Sequence, residues 1–288
     1  MRIAFITSAH HAELYADDRL AADELRRRGH QVHPVIWTEP GTLDAFDLVV
    51  MRSPWDWFHR RAEFRAYLEA LRGTRARVVN PAALMLDFAD KTYLARLEAR
   101  GVPVVPTVQL LPSELHRVPD LVAQRGWARA VLKPAFTANA VGAVRFEAAG
   151  AAQAIATLAA SALPPAEPLL LQPFVPSIAQ GELSFVCFGG VFSHAVKKQP
   201  RAGDWRVQPD YGGSSAPFTP SPQEIAEAEA LLAGAAPGTV YARVDAVEWE
   251  GRLHLMELEV VEPELFFRHE PTAPARFCDS LLRHASVA

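Results

Sequence analysis

"YARVDAVEWEGRLHLMELEVV", Tyr241 to Val261, reads as two strands around a tight turn at Glu250-Gly251-Arg252. Within this apolar stretch stand Arg243, Asp245, Glu257 and Glu259. Side chains alternate along a strand, so Arg243 shares a face with Asp245, and Glu257 with Glu259. Whether the two pairs meet depends on the turn. A three-residue loop pairs Trp249 with Leu253, sets Asp245 opposite Glu257 and Arg243 opposite Glu259, and gathers all four on one side. A two-residue loop opposes Asp245 to Met256 and separates them. Three-residue hairpins with Gly in the left-handed position are common, so the gathered register is expected. Three carboxylates so placed repel one another unless a cation intervenes, and a hard divalent ion such as Mg²⁺ takes oxygen ligands. The competing reading is a solvated face, with Met256, Leu258 and Val260 turned inward.

The chain has 288 residues, is 50% hydrophobic and 22% charged, and carries a net charge of −4. This is globular composition, with length for two or three compact units. No long basic run points to nucleic acid or an anionic membrane. The opening "MRIAFITSAHHAE" has too short an apolar run for a signal peptide and reads as a first strand. The Ala-rich segment from Ala148 to Leu163 carries Gln153, Thr157 and Ser161 and reads as a helix, not a membrane span. Cys187 and Cys278 stand far apart in apolar surroundings and read as core thiols. The default is a cytoplasmic protein.

Strand and helix alternate over the first 85 or so residues. "RIAFITS", "QVHPVIW", "FDLVVMRS" and "ARVVN" are strands; Asp17 to Arg28, closed by Gly29, and Arg60 to Arg72 are helices. Continuous apolar strands separated by amphipathic helices imply a parallel sheet covered on both sides. Ligands of such sheets sit beyond the strands' carboxyl ends, where Ser8, His10 and Arg52 of "RSPWDW" lie. A guanidinium there is placed to hold an anion bidentately. After Asn80-Pro81 the pattern changes to α+β. Helices are expected at Lys91 to Arg100, Pro119 to Arg125 and Pro222 to Ala233. The Ala-rich helix is expected to end at Leu163 to Pro168. "ELSFVCF", Gly189-Gly190 and "VFSHAVKK" form a hairpin, and Gln199 to Pro222 is a long loop suited to a lid.

Lys133 stands inside the apolar strand "AVLKPAF". Burying an ammonium costs several kcal/mol unless an anion meets it, the alternative being a lysine that snorkels from a strand end. The small residues of Thr137 to Gly142 let backbone N–H groups approach phosphate. Gln172 precedes Pro173, which cannot donate to a ladder and marks "LLLQPFV" as an edge or hinge whose free backbone groups can read an adenine. Glu182 opens the next strand, where a carboxylate can accept from ribose hydroxyls.

The ordered set Lys91, Lys133-Pro134, Gln172-Pro173-Phe174-Val175, Glu182, Lys198, Arg243-Val244-Asp245 and Glu257-Leu258-Glu259 resembles the ATP-grasp superfamily. More narrowly, "RSPWDW", "SHAVKKQPRAGDWRVQ", "YGG" and "ELEVVEPELFF" resemble the group that includes D-cycloserine synthetase and glutathione-synthetase-like ligases. The resemblance covers nearly the whole chain. It implies an α/β unit over residues 1–85, then two subdomains, 86–175 and 176–288, that clamp ATP. It assigns Lys91 and Lys133 to ATP phosphates; Gln172, Phe174 and Val175 to the adenine; Glu182 to ribose; and Lys198 or its neighbour Lys197 to the γ-phosphate. Arg243 falls to the intermediate, and Asp245, Glu257 and Glu259 to one or two Mg²⁺ ions. Two departures stand out. Much of the superfamily has Asn at the position of Glu259, and the loop after Lys133 lacks the usual glycines.

The implied reaction is ADP-forming. A carboxylate takes the γ-phosphoryl group, and an amine displaces phosphate from the acyl phosphate. Positioning and charge neutralisation carry phosphoryl transfer, which suits a set of Lys, Arg and carboxylates. Arg52, Arg206 and the Tyr211-Gly212-Gly213 turn are expected at the substrate, and Gln199 to Pro222 to exclude water. The partners are a small carboxylate and a small amine, with no nucleic acid and no membrane. Homo-oligomerisation, the substrates' identity, and an intermolecular or cyclising reaction stay open. The alternatives are a phosphotransferase and a nucleotide-binding regulator without turnover.

Overall fold

The computed structural model describes residues 1–136, 139–160 and 167–286. Residues 163–166 of the expected end of the Ala-rich helix, and Thr137 and Ala138 of the small-residue loop, lie outside these residues. The first sheet holds β1 (Arg2–Thr7), β2 (Gln31–Ile36), β3 (Leu48–Ser53) and β4 (Arg77–Val79) in the order β2-β1-β3-β4, all parallel. β1 and β3 lie at the centre and are buried almost throughout, hence their unbroken apolar runs. The intervening helices are α1 (Ala16–Arg27) and α2 (Arg61–Ala70). Gly29, with φ +85, ends α1 where a Cβ would be strained. Two short helices, α3 (Ala82–Asp87) and α4 (Tyr93–Ala99), lead away from this sheet.

The second sheet runs β5-β8-β6-β7, built from β5 (Val108–Leu110), β6 (Arg129–Pro134), β7 (Val144–Glu147) and β8 (Leu169–Pro173), all antiparallel. Helices α5 (Val118–Gln124) and α6 (Ala151–Ala159) cover one face through Ala130, Leu132, Leu169 and Leu171. β8 is interior and not the expected edge. Its partner β5 reaches only as far as Leu171, however, so Gln172 and Pro173 run past it with one flank open. Pro173 thus sits where a missing donor is tolerated.

The third sheet, β11-β10-β9-β12-β13, is antiparallel. It comprises β9 (Glu182–Phe188), β10 (Val191–Gln199), β11 (Ser214–Phe218), β12 (Tyr241–Trp249) and β13 (Arg252–Glu259). Strand β11 lies within the stretch expected to be all loop. It is an outer strand, where Pro217 is admissible. One face of this sheet carries Leu183, Phe185, Cys187, Ala195, Ala242, Val244 and Ala246 and packs on α7 (Pro222–Ala235). The last helix, α8 (Ala273–Ser286), returns to α1, where Arg28 pairs with Asp279 at 2.6 Å. Cys187 and Cys278 are free, buried thiols, each pushed up to about 12 chiefly by burial. Among the described residues no helix is long and apolar enough to cross a membrane.

The hairpin turn differs from the expectation. Trp249 pairs with Arg252, so the loop has two residues, Glu250 and Gly251, with φ of +53 and +78. Positive φ at both positions is the type I′ pattern, whose twist matches the strands. The register then shifts. Ala246 pairs with Leu255 but Asp245 with Glu257, leaving Met256 as the extra residue of a β-bulge. An even turn plus one bulged residue restores the odd count. Asp245 therefore still faces Glu257, and Arg243 still faces Glu259.

Polar cross-links tie the first sheet to the third. Asn80 is fully buried; its amide donates to the carbonyls of Tyr241 (2.8 Å) and Val260 (2.7 Å) and accepts from the Val240 N–H (2.7 Å). Tyr241, also fully buried, places its hydroxyl near the carbonyls of Met51, Val79 and Val261. Asn80→Asp sets a carboxylate against two carbonyl oxygens. It should lower stability by on the order of 3 kcal/mol or more, the scale of unsatisfied buried groups, as read by urea unfolding. A loss below about 1 kcal/mol would show that the cross-link is dispensable.

Candidate active site

Period two explains how the third sheet assembles its polar face. Glu182 and Ser184 on β9, Lys198 on β10, Arg243 and Asp245 on β12, and Glu257 and Glu259 on β13 are cross-strand neighbours. Directly opposed residues point to the same side. The same parity distinguishes the two lysines of β10. Lys198 joins the carboxylates, whereas Lys197 lies across the sheet with its ammonium over the Phe218 ring.

Oxygens of Asp245, Glu257 and Glu259 come within 4.8 Å of one another. Asp245 is nearly inaccessible. It accepts from Ser184 Oγ (2.5 Å), from Arg243 Nε (2.9 Å) and Nη2 (2.8 Å), and from Lys198 Nζ (3.0 Å). Burial alone would raise its proton affinity, but Arg243 and Lys198 outweigh burial and hold it well below the usual carboxylate range. Lys198 also pairs with Glu182 at 2.6 Å, Lys91 pairs with Glu257 at 3.1 Å, and Arg243 pairs with Glu259. Burial, with Glu257 and Asp245 nearby, pushes Glu259 upward despite Arg243. Burial likewise raises Glu182, against the pull of Lys198.

Lys133 faces this patch from the second sheet, because Ala130 and Leu132 turn to the α5–α6 side. Among the described residues no carboxylate lies at ion-pair distance from it. Burial, then Lys91, lowers it from 10.5 to about 8. Gln172 is buried and donates to Thr107 Oγ1 at 2.8 Å. The guanidinia of Arg129 and Arg145 each lie 5.1 Å from the Phe174 ring, and the Phe174 N–H donates to the Arg129 carbonyl at 3.0 Å. Val175 is buried with Val105, Ile178, Val207 and Val247, against which the bulged Met256 also packs.

A cleft of about 320 Å³ opens over the patch. Lys91, Glu182, Lys198, Arg243, Asp245, Glu257 and Glu259 line it; Lys133, Gln172, Phe174 and Val175 flank it without lining it. Two loops meet at its mouth, where Asn139 donates to Asp210 at 2.8 Å. The far wall comes from the loop after β3 and the chain after β13, namely Trp55, Trp57, Glu262, Glu264 and Phe266. Trp57 Nε1 donates to Glu262 Oε1 at 2.6 Å, and Trp55 Nε1 to the Glu262 carbonyl at 3.0 Å. Burial pushes the Glu262 carboxyl up to about 7. No residue of this wall was singled out from the sequence, although "RSPWDW" and "ELEVVEPELFF" contain all five. The signal available was a pair of Trp-rich and Glu-rich segments beyond adjoining strand ends.

The expected substrate residues need correction. Arg52 is wholly buried. Its Nε and Nη2 both donate to Asp18 (3.0 and 2.8 Å), Nη2 also reaches the Pro263 carbonyl, and the guanidinium lies 5.5 Å from the Tyr241 and Phe277 ring centres. It clamps the first sheet to the chain after β13 and has no face open to an anion. Ser8 is likewise buried and His10 is exposed; neither lines the cleft. Arg206 is held by Asp204 at 2.8 Å and stacks 3.6 Å over Tyr211. Gly213 fits because a Cβ there would lie 2.1 Å from the Val207 carbonyl oxygen. Arg206, Tyr211, Gly212 and Gly213 shape their loop, but the residues that line the cleft are the intervening Gln208, Pro209 and Asp210.

Arg243→Gln leaves Asp245 and Glu259 short of a counter-charge. Without nucleotide or divalent cation it should destabilise the fold by about 3–5 kcal/mol, the range for breaking a buried pair. Adding Glu259→Gln should recover part of the loss, giving a non-zero coupling in the double-mutant cycle. Strictly additive losses by chemical denaturation would show that the two side chains are energetically independent.

Residues 3–80 match the family model described as D-cycloserine synthetase DcsG, N-terminal domain. Cycloserine biosynthesis protein DcsG of Streptomyces lavendulae is 34% identical over 260 residues, covering 84% of this chain and 85% of that protein. The crystal structure of D-cycloserine synthetase DcsG superposes with a TM-score of 0.87 at 28% identity, over 99% of this chain and 100% of that one. The ATP-grasp ligase PsnB, solved with a phosphomimetic variant of its minimal precursor, Mg and ADP, gives 0.67 at 16% identity over 99% and 98%, a likeness of fold. The polar sheet face and these relatives lead to one conclusion: the chain belongs to the DcsG family of ATP-grasp ligases.

Proposed function

We propose that the chain is an ADP-forming ligase that activates a small carboxylate as an acyl phosphate and closes it onto an amine, in the manner of a D-cycloserine synthetase. The observation that carries this reading is the convergence of Asp245, Glu257 and Glu259 within 4.8 Å, ringed by Lys91, Lys198 and Arg243. An all-oxygen donor set of this charge fits Mg²⁺. Asp245, Glu257 and Glu259 would hold the ion, and Mg²⁺ bound there would offset the charge of the nucleotide phosphates.

Each cation of the patch now rests on a carboxylate that the metal would take. Exchange follows from charge alone. Lys91 and Lys198 turn from Glu257 and Asp245 to phosphate oxygens, and Lys133, short of an anion, gains one. Glu182, released from Lys198, accepts from ribose. Gln172, Phe174 and Val175 frame the adenine; since the Phe174 N–H already serves the Arg129 carbonyl, recognition falls to the remaining backbone groups. A substrate carboxylate oxygen then attacks the γ-phosphorus as the bond to ADP breaks. Arg243, beside the metal carboxylates, holds the charge that develops. The amine attacks the acyl carbon, and phosphate leaves with the C–O electron pair.

The relatives' link to cycloserine supports a reaction in which acid and amine belong to one amino-acid-like molecule. The expected products are then ADP, phosphate and a compound lighter than the substrate by one water. Hydroxylamine should trap the acyl phosphate as a hydroxamate. Release of AMP and pyrophosphate would rule out the mechanism, and a phosphorylated product without free phosphate would favour a phosphotransferase.

Glu257→Gln keeps the shape but removes a charge from the centre of the triad, and should abolish turnover at ordinary Mg²⁺ with the fold intact. Glu259→Asn should retain turnover with a raised Mg²⁺ requirement. Wild-type Mg²⁺ dependence in Glu257→Gln would overturn the metal assignment.

A further inference from the structure

Five glutamates line the cleft, and four have a cationic partner: Glu182 with Lys198, Glu257 with Lys91, Glu259 with Arg243, and Glu264 with Arg268 at 2.6 Å. Glu262 is the exception. Among the described residues no Lys, Arg or His comes within ion-pair distance of it. Its carboxylate is held by two neutral donors, the Trp57 Nε1–H on Oε1 and its own backbone N–H. Both neighbouring indole N–H groups are used on residue 262, one on the side chain and one on the backbone. Trp55 is braced edge-on by Tyr15 and His11, with ring centres 4.8 and 5.5 Å away, and Trp57 stacks on Phe64.

A carboxylate without a cationic partner beside Trp55 and Trp57 has the chemistry of an ammonium site. Carboxylate and aromatic faces both attract a cation, and both act more strongly where water is scarce. We propose that Glu262, held between Trp55 and Trp57 on the wall of the cleft, receives the ammonium group of an amino-acid-like substrate. The subsite names the substrate class and rests on the ligase reading above. The upward displacement of the Glu262 carboxyl by burial agrees with an anion lacking its counter-ion. A chemical consequence follows. A nitrogen held as ammonium has no lone pair, so this group is recognised and not consumed. The nitrogen that attacks the acyl phosphate is a second one, farther along the molecule.

The test separates binding from turnover. D-Serine, D-cycloserine and 3-hydroxypropanoate (D-serine without its ammonium) are titrated calorimetrically into protein loaded with ADP and Mg²⁺. The wild type should bind at least one of the two amines and should bind 3-hydroxypropanoate more weakly by roughly 10- to 100-fold, the scale of a charge-assisted hydrogen bond. Glu262→Gln preserves an acceptor for Trp57 and should erase that preference while leaving ADP affinity unchanged; Glu262→Asp should keep part of it. Failure of both amines to bind the wild type, equal affinity for D-serine and its des-amino analogue, or an undiminished preference in Glu262→Gln would each overturn the subsite. Ammonium-dependent binding without release of ADP and phosphate from ATP and any acid would instead count against the ligase reading and leave the subsite standing.

Discussion

Charge balance on one face of a five-stranded sheet is the constraint on which the rest depends. Three cations, Lys91, Lys198 and Arg243, stand against four carboxylates, Glu182, Asp245, Glu257 and Glu259. None of these groups would be stable there alone, because burying an isolated charge costs several kcal/mol. Together they form a patch that is nearly neutral and internally paired, yet every pair joins a group suited to phosphate with one suited to a metal or a sugar. On the proposed reading, nucleotide and cation would find the site balanced before they arrive. Each would be better accommodated when the other supplies the counter-charge, which is the condition for linked binding.

The surrounding architecture keeps that patch at the meeting point of three sheets. The second sheet turns Lys133 toward it, and the first sheet supplies the aromatic wall. Arg52, Asn80 and Tyr241 hold the first sheet against β12 and the chain after β13. These three are among the most deeply buried polar residues of the chain, and their work is to fix the distance between the wall and the carboxylates.

Much of this was legible in the sequence, for physical reasons. Continuous apolar strands announced the parallel sheet, and alternation along β12 and β13 announced a charged face. The failures were equally physical. Arg52 was read as an anion site because strand ends in parallel sheets usually are, but its partner Asp18 lies 34 positions earlier and no local pattern links them. The short strand β11 was hidden because its apolar content is low and its register is set by β10. Glu262 escaped because it belongs to no periodic element; it gains meaning from two tryptophans some 200 residues away. Asp245 was rightly set opposite Glu257 through two errors that cancel: the loop is one residue shorter than expected, and Met256 restores the residue so lost.

That bulge works as a phase lock. The tip of the hairpin only closes a turn, and its length does not by itself decide which side of β13 bears the acids; the extra residue at Met256 does. Everything distal to it can vary in step without disturbing the chemistry. Were Met256 to take a regular place in the ladder opposite Asp245, the end of the strand would turn by half a period, presenting Leu258 to the cleft and turning Glu257 and Glu259 toward the apolar layer. The reading frame of the active site is thus written into a single packing residue, far less conspicuous than the carboxylates whose orientation it sets.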